Sequence, residues 1–194
     1  MFQTSSKAGS LSRDKLDIVT QTNHLSHFLL TNLLKKCLVA TGNARVLNVS
    51  CQGYTKAELD LESLQREKQA GDWEQVYNNT KLMNVLFTEE LAARWEDIGV
   101  TSYALHPGLV RTEIFRNVSP FIQKLRYILA LLAGKSCAQG AHTSLYLACE
   151  PGLEKLSGRF FSDCRLVRTR LDKLGDKEMA AKLWDRSEEL VKLK

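Results

Sequence analysis

The sequence predicts an α/β fold in which helices cover a doubly wound, Rossmann-like parallel sheet. Two observations carry this prediction. Stretches with helical apolar periodicity alternate along the chain with short apolar runs, which are typical of strands buried on both faces. The 194 residues are 44% hydrophobic and 25% charged, an ordinary globular composition. We therefore expect residues 1–194 to form a single domain.

The first half of the chain contains two predicted helices and one predicted strand. Apolar residues recur at helical spacing over residues 14–39, and Thr41-Gly42-Asn43 ends that helix. Residues 45–50 form a short apolar run that predicts a buried strand. After a charged loop, residues 74–96 again keep a helical period, and Asp97-Ile98-Gly99 closes this second helix.

The second half continues the alternation. Residues 100–105 predict a strand that Pro107-Gly108 stops. A helix at about residues 137–149, a short strand at 159–162 and a charged amphipathic helix at about 177–192 follow. Because helix and buried strand alternate, the strands are expected to run parallel.

Composition narrows the function classes. The net charge is +5, but basic and acidic residues are interspersed, which does not favour nucleic-acid binding; a phosphorylated cofactor would account for the mild basic excess. The cysteines form no C-x-x-C pair, so we expect no metal site and no disulfide framework. No stretch is apolar enough to cross a bilayer, and the start of the chain is polar. We expect a cytoplasmic location or a peripheral one on an intracellular membrane.

Tyr77 and Lys81 are the residues that most directly indicate chemistry. They stand at i and i+4, so on a helix both side chains reach the same ligand. A free phenol has a pKa of about 10, and a nearby ammonium is expected to lower it toward neutrality. The pair therefore suits proton transfer at a carbonyl or alcohol oxygen. His24 and His27 lack further ligands at metal spacing, which favours a packing role for them.

Five segments resemble, in order, motifs of the retinol-dehydrogenase-like branch of the short-chain dehydrogenase/reductase family. They are N-H-L-S-H-F-L-L at 23–30, R-V-L-N-V-S at 45–50, Y-N-N-T-K-L-M-N-V-L-F at 77–87, H-P-G-L-V-R-T-E at 106–113 and L-S-G-R-F-F-S-D-C at 156–164. The resemblance covers essentially the whole chain. It implies an NADP(H)-dependent oxidoreductase, with NAD as the alternative cofactor, that interconverts a hydrophobic alcohol and its aldehyde or ketone.

The same resemblance implies a role for each matching residue. Tyr77 would be the acid/base, and Lys81 would lower its pKa and bind the nicotinamide ribose. Asn23 would hold a proton-relay water through its backbone. The family's substrate-orienting serine matches Cys51, whereas Ser50 stands one residue earlier and is expected to point to the opposite face of the strand. A thiol donates a weaker hydrogen bond than a hydroxyl, so Cys51 should stabilise a developing oxyanion less well.

The resemblance also divides the cofactor site. Pro107, Gly108 and Thr112 match the segment that contacts the nicotinamide carboxamide. The family's Gly-rich turn, which receives the cofactor pyrophosphate, and its N-N-A-G strand have no counterpart in residues 1–194. We therefore expect an incomplete domain, the C-terminal portion of the fold, in which the strand at 45–50 lies at an exposed edge.

Two further expectations concern partners. The apolar stretch at 120–133 is interpreted as a substrate lid that also allows contact with a membrane surface, the alternative being a core helix. The helices at 14–39 and 74–96 resemble those of the family's dimer interface, which allows a homo-oligomer. The alternative to an enzyme is a truncated, non-catalytic isoform or pseudo-enzyme that acts through a full-length relative.

Overall fold

The computed structural model describes residues 10–61, 73–112, 134–167 and 176–193, and its sheet has the order β1-β2-β3-β4. The strands are β1 (Arg45–Val49), β2 (Thr101–His106), β3 (Phe160–Ser162) and β4 (Arg165–Leu166). The first three run parallel, and β4 returns antiparallel to β3. This sheet with helices between its parallel strands confirms the predicted α/β class. The sequence prediction missed the two-residue strand β4.

The predicted helix at 14–39 is wrong at its start and is not one regular helix. It comprises α1 (Ile18–Thr20), a π-helical turn (Gln21–Leu25), α2 (Ser26–Leu33) and α3 (Lys35–Thr41). It begins only at Ile18 because the Asp17 carboxylate accepts hydrogen bonds from the amides of Val19 and Thr20 at 3.0 and 2.8 Å, which makes Asp17 the N-cap. Gly42, at φ +83°, ends it as predicted.

The remaining helices lie close to their predicted positions. The long helix α4 spans Trp73–Arg94, and a 3-10 turn at Glu96–Ile98 follows it. Another 3-10 turn, Gln52–Lys56, follows β1, and a third is Glu154–Leu156. Helix α5 (Cys137–Cys149) begins with a capping box between Ser136 and Gln139, and α6 (Lys177–Leu190) is capped by Asp176.

The core lies on both faces of β2. Tyr103 and Leu105 pack with Leu147 of α5 on one face of the sheet, while the intervening Ala104 packs with Leu86 of α4 on the other. Successive side chains of a strand point to opposite faces, so a strand covered twice must be apolar throughout. This arrangement explains the continuous apolar run that predicted the strand.

Strand β1 lies at the edge of the described sheet, as the sequence predicts. Within the described ranges it pairs with β2 alone, with Leu47 opposite Tyr103. The stretch at 120–133, predicted to be a lid, lies outside the described residues. None of the helices in the described part of the chain has the length and hydrophobicity that a membrane crossing requires.

Candidate active site

Tyr77 and Lys81 lie one turn apart in the first half of α4, beside the carboxyl end of β1. The Lys81 Nζ lies 5.3 Å from the centroid of the Tyr77 ring and donates a hydrogen bond to the Val49 carbonyl at 3.2 Å. Lys81 is only 1% exposed. Its amino group has therefore lost nearly all its hydration, which penalises the charged form.

Burial shifts both groups of this pair. It lowers the pKa of Lys81 to about 7. Burial also raises the pKa of Tyr77 above its ordinary value, and the neighbouring Cys51 adds to the increase. The sequence predicted a lowered Tyr77 pKa beside Lys81, whereas the Tyr77 pKa is raised, with burial as its largest cause. At neutral pH Tyr77 is a protonated phenol that can donate.

Cys51 lies two residues after the end of β1, near the Tyr77 phenol. The two side chains are close enough to perturb each other's pKa, and burial raises the pKa of the Cys51 thiol. The preceding residue, Ser50, makes a different contact, because its hydroxyl donates to the backbone carbonyl of Lys81 at 2.8 Å. Cys51 is thus the residue next to the Tyr77 phenol, whereas the Ser50 hydroxyl is hydrogen-bonded to the backbone of α4.

Asn23 reaches the same region from the π-helical turn. Its side-chain Nδ2 donates to Thr80 Oγ1 at 3.2 Å, and that hydroxyl donates to the Tyr77 carbonyl at 2.7 Å. The backbone carbonyl of Asn23 accepts a hydrogen bond from Asn84 Nδ2 at 3.1 Å. Asn23 is fully buried. The structure therefore brings together four predicted site residues: Asn23, Cys51, Tyr77 and Lys81.

The predicted cofactor-contact residues lie at the carboxyl end of β2, the strand next to β1. Gly108 has φ +88°, a backbone conformation that favours glycine, and the Lys135 side chain packs against it. Lys135 donates to the Pro107 carbonyl at 3.4 Å and forms an ion pair with Asp163. Thr112 is exposed, and no described hydrogen bond links it to Tyr77 or Lys81.

His106 adds a polar feature to this turn. Its Nδ1 is buried and has no hydrogen-bond partner among the described residues. Burial, reinforced by the charge of Lys135, lowers the pKa of His106.

Three residues that the sequence reasoning missed support the site. Asn84 holds the Asn23 carbonyl, and its position seven residues after Tyr77 puts it on the same helix face, so periodicity could have identified it. Lys135 lies 28 residues after Pro107, and Asp163 lies 28 residues after Lys135. No local pattern connects residues that far apart.

A cavity formed by described residues lies away from this chemistry. It measures about 1170 Å³ and is lined by residues that include Gly42, Glu89, Thr101 and Gly158. These residues flank the amino ends of β1 and β2, whereas Tyr77 lies near the carboxyl end of β1. A site chosen from this cavity alone would lie at the opposite end of the sheet from Tyr77 and Lys81.

Comparisons with known proteins identify relatives over nearly the whole chain. The chain is 41% identical to retinol dehydrogenase 14 of Mus musculus over 182 residues, which are 93% of this chain and 54% of that protein. It therefore spans about half the length of that relative. No protein-family model matches the chain.

Solved structures show the same fold. A crystal structure of an uncharacterized protein from Mycobacterium paratuberculosis superposes with a TM-score of 0.72 and 27% identity, covering 98% of this chain and 63% of the other. An NADPH-bound carbonyl reductase from chicken fatty liver superposes with a TM-score of 0.53 and 19% identity, covering 80% of this chain and 57% of the reductase. The latter likeness establishes the Rossmann-like fold alone.

Proposed function

Since the chain belongs to the short-chain dehydrogenase/reductase family and is homologous to retinol dehydrogenases over most of its length, we propose that it carries the catalytic part of an NADP(H)-dependent oxidoreductase. The proposed reaction interconverts a hydrophobic alcohol and its aldehyde or ketone. NAD(H) is the alternative cofactor. The observation that supports this proposal best is the cluster of Asn23, Cys51, Tyr77 and Lys81 at the carboxyl end of β1, in which Asn23 and Lys81 are buried.

In this reaction the Tyr77 hydroxyl acts on the substrate oxygen. Its raised pKa keeps the phenol protonated at neutral pH, so it can donate a proton to the oxygen of a carbonyl substrate. The Lys81 amino group, with a pKa of about 7, lies above the Tyr77 ring and can return the proton without a large energetic cost. Alcohol oxidation requires the Tyr77 phenolate as the base, and the raised Tyr77 pKa disfavours that form, so the cluster supports the reduction direction best.

Cys51 sets the resting position of the phenol. The interaction between Cys51 and Tyr77 must give way when the substrate oxygen takes the Tyr77 proton. A thiol is a weak partner, so this exchange is easy. The same weakness makes Cys51 a poor donor to the substrate oxygen in the transition state. We infer that Cys51 leaves the site operational but slow.

The nicotinamide cofactor, when bound, supplies or accepts the hydride. The turn after β2, with Gly108 at φ +88° and Lys135 packed against it, would receive its nicotinamide end. Pro107 and Gly108 would hold the ring, and Thr112 its carboxamide. We propose that residues 1–194 form one incomplete domain that binds the nicotinamide half, and that polypeptide outside these residues binds the pyrophosphate.

Substrate and partners follow from the relatives and the surface. Retinol dehydrogenases are named for an apolar alcohol, which supports a small hydrophobic alcohol or carbonyl as the substrate. Leu30, Leu33 and Leu34 are 55%, 65% and 42% exposed on the stretch from α2 to α3, which supports a homo-oligomer through this surface. An apolar patch of this kind also suits a peripheral position on an intracellular membrane.

The test is hydride transfer by the natural full-length polypeptide. We expect NADPH-dependent reduction of a long-chain aldehyde, and we expect Tyr77→Phe to lower kcat by about 10²- to 10⁴-fold. Tyr146→Phe is the matched control, because Tyr146 lies on α5 against Phe161 and away from the cluster. Equal kcat values for Tyr77→Phe and wild type would exclude Tyr77 as the acid/base.

A second candidate is a non-catalytic chain that acts by associating with a full-length relative. Strand β1 at the edge of the described sheet favours it, because an edge strand is open to pairing with another polypeptide. Cofactor binding separates the two functions. The enzyme must quench its tryptophan fluorescence on titration with NADPH, whereas the non-catalytic chain must show no such titration while binding its relative.

A further inference from the structure

A chain of buried polar side chains connects the last described helix to the candidate site. It runs from Ser187 of α6 through His24 of the π-helical turn to Asn84 of α4, and it ends at the backbone carbonyl of Asn23. Each of the four residues is at most 1% exposed. These hydrogen-bonded side chains come from three separate helical segments, so they connect elements that are far apart in sequence.

One arrangement of protons satisfies this chain. Asn84 Nδ2 donates to the Asn23 carbonyl at 3.1 Å, which leaves Asn84 Oδ1 as an acceptor. His24 Nδ1 lies 3.4 Å from that oxygen and must carry the proton, so Nε2 is unprotonated. Ser187 Oγ lies 3.0 Å from Nε2, and its hydroxyl also donates to the Leu183 carbonyl at 2.7 Å.

The electrostatics of the core agree with a neutral ring. Burial lowers the pKa of His24 to about 4, and the charge of His27 lowers it further. The groups that face His24 are Asn84 from α4 and Ser187 from α6, with His27 on its own helical stretch. The uncharged ring can remain in the core throughout the neutral pH range.

An apolar residue would suit the surroundings of His24 at least as well. The ring lies 6.2 Å from the Phe28 ring and 6.0 Å from the Phe87 ring, within an aromatic cluster. A buried imidazole gains little stability over an apolar side chain that fills the same space, because each polar atom must first be desolvated. The polar chain is thus better explained by what it holds in place.

What it holds is a carbonyl in an irregular stretch of helix. Asn23 lies in the π-helical turn Gln21–Leu25, where the backbone does not keep α-helical spacing. We propose that Asn84, His24 and Ser187 are positioning residues that fix the backbone of Asn23, whose side chain bonds to Thr80 next to Lys81, so that α6 takes part in building the active site. This proposal rests on the proposed oxidoreductase function and extends it to residues outside the reacting cluster.

The experiment compares Ser187→Ala with Ser187→Thr in the natural full-length polypeptide, together with Asn84→Leu. Thr88→Val is the matched control: it removes another buried hydroxyl of α4, one turn beyond Asn84, without touching Asn23. Two readouts are needed. Amide hydrogen exchange of residues 21–25 reports the turn itself, while kcat, KM and the solvent deuterium isotope effect on kcat report proton transfer.

We expect Asn84→Leu to speed exchange at residues 21–25 by about tenfold or more. It should lower kcat by about tenfold and increase the solvent isotope effect, with KM for NADPH unchanged. Ser187→Ala should cause smaller changes of the same kind, which Ser187→Thr reverses because its hydroxyl reaches His24. Thr88→Val should change stability alone.

Two results would overturn the proposal. One is equal exchange at residues 21–25 in Ser187→Ala and Ser187→Thr, which means that Ser187 does not hold the turn. The other is a kcat for Asn84→Leu no lower than that of Thr88→Val, which means that the turn does not matter to the reaction. If the wild-type protein has no turnover, the oxidoreductase function fails with its catalytic extension, and exchange still decides whether the side chains hold the turn.

Discussion

The two halves of α4 bury their side chains with opposite chemistry. In the part up to Asn84, which we call the polar half, most of the buried side chains from position 78 onward are polar: Asn78, Asn79, Thr80, Lys81 and Asn84. In the second half, Phe87 and Leu91 pack with Phe28 and Trp184 in an aromatic cluster. The same helix therefore carries the site with one half and much of the packing with the other. Changes in the two halves should separate into effects on chemistry and effects on stability.

The polar half is satisfied by partners from elsewhere in the chain. Asn79 pairs with the backbone of Glu58 through two hydrogen bonds of 2.9 Å each. Thr80 and Asn84 bond to Asn23. Buried polar groups are tolerated only when such partners exist. Hydrogen bonds thus hold this half of the helix in place, whereas the packing of apolar side chains holds the other half.

The largest expected effect lies in the apolar half. Trp184→Ala should lower the free energy of unfolding by about 3–5 kcal/mol. It removes packing against two rings, since the Trp184 ring centroid lies 4.9 Å from that of Phe28 and 5.8 Å from that of Phe87. Urea unfolding measures this loss. Trp184→Phe is the control and should lose clearly less, since it keeps a ring in the cluster. A loss below 1 kcal/mol for the alanine variant would mean that the cluster does not stabilise α4.

His24 connects the two halves and should make stability depend on pH. Its folded pKa is about 4 and its ordinary value 6.5, so between these values the unfolded chain binds the extra proton. The free energy of unfolding should therefore fall as pH falls from about 6.5 to 4, by up to about 1.4 kcal/mol per pH unit. Above pH 6.5 His24 is neutral in both the folded and the unfolded chain, so its titration no longer changes the free energy of unfolding.

His24→Gln removes the titration while it keeps a polar side chain. Urea unfolding at pH 7 and pH 4.5 should show a smaller acid loss for this variant than for the wild type. The exposed His142 provides the control, and His142→Gln should behave like the wild type. The same acid loss in all three proteins would contradict a neutral, buried His24.

The sequence predicted the helices and parallel strands because their signals are local. Apolar periodicity predicted α4 to within two residues of both ends, and a continuous apolar run predicted β2. The sequence also placed Tyr77 and Lys81 on one helix face. It did not predict that Asn78 to Lys81 are buried, because amphipathic periodicity assigns polar residues to solvent and their partners, such as Glu58 and Asn23, lie far away in the chain.

The direction of the Tyr77 pKa was wrong for a related reason. A neighbouring ammonium lowers the pKa of a phenol when the lysine is charged, and this much can be inferred from spacing. Spacing cannot reveal that Lys81 is 1% exposed. Burial weakens the charge of the lysine and disfavours the phenolate at the same time. The extent to which Tyr77 and Lys81 are buried is therefore what the sequence could not show.

A smaller effect is expected at Cys51, in contact with the polar half. Cys51→Ser restores a strong donor at the position that contacts Tyr77, so kcat of the full-length polypeptide should rise by about tenfold to a hundredfold. Thermal unfolding should shift little, since the two side chains are similar in size. Cys164→Ser is the control, because Cys164 lies beside Thr143 and outside the cluster. An unchanged kcat would show that no donor is needed at position 51.

The smallest effect should come from the surface end of the apolar half. Arg94 forms an ion pair with Glu90 at 2.6 Å, one turn earlier in α4, and its guanidinium lies 4.8 Å from the Trp184 ring centroid. The Arg94 side chain is 36% exposed, so water and salt screen its charge.

Arg94→Met keeps an unbranched apolar stem over Trp184 and removes the charge, and it should lower the free energy of unfolding by no more than about 1 kcal/mol. The difference from wild type should shrink in 1 M sodium chloride if the ion pair with Glu90 causes it. Persistence of the full difference in salt would assign it to contact with the Trp184 ring. In that case contact with the Trp184 ring stabilises the exposed end of the apolar half, and the Arg94–Glu90 ion pair adds nothing measurable to the free energy of unfolding.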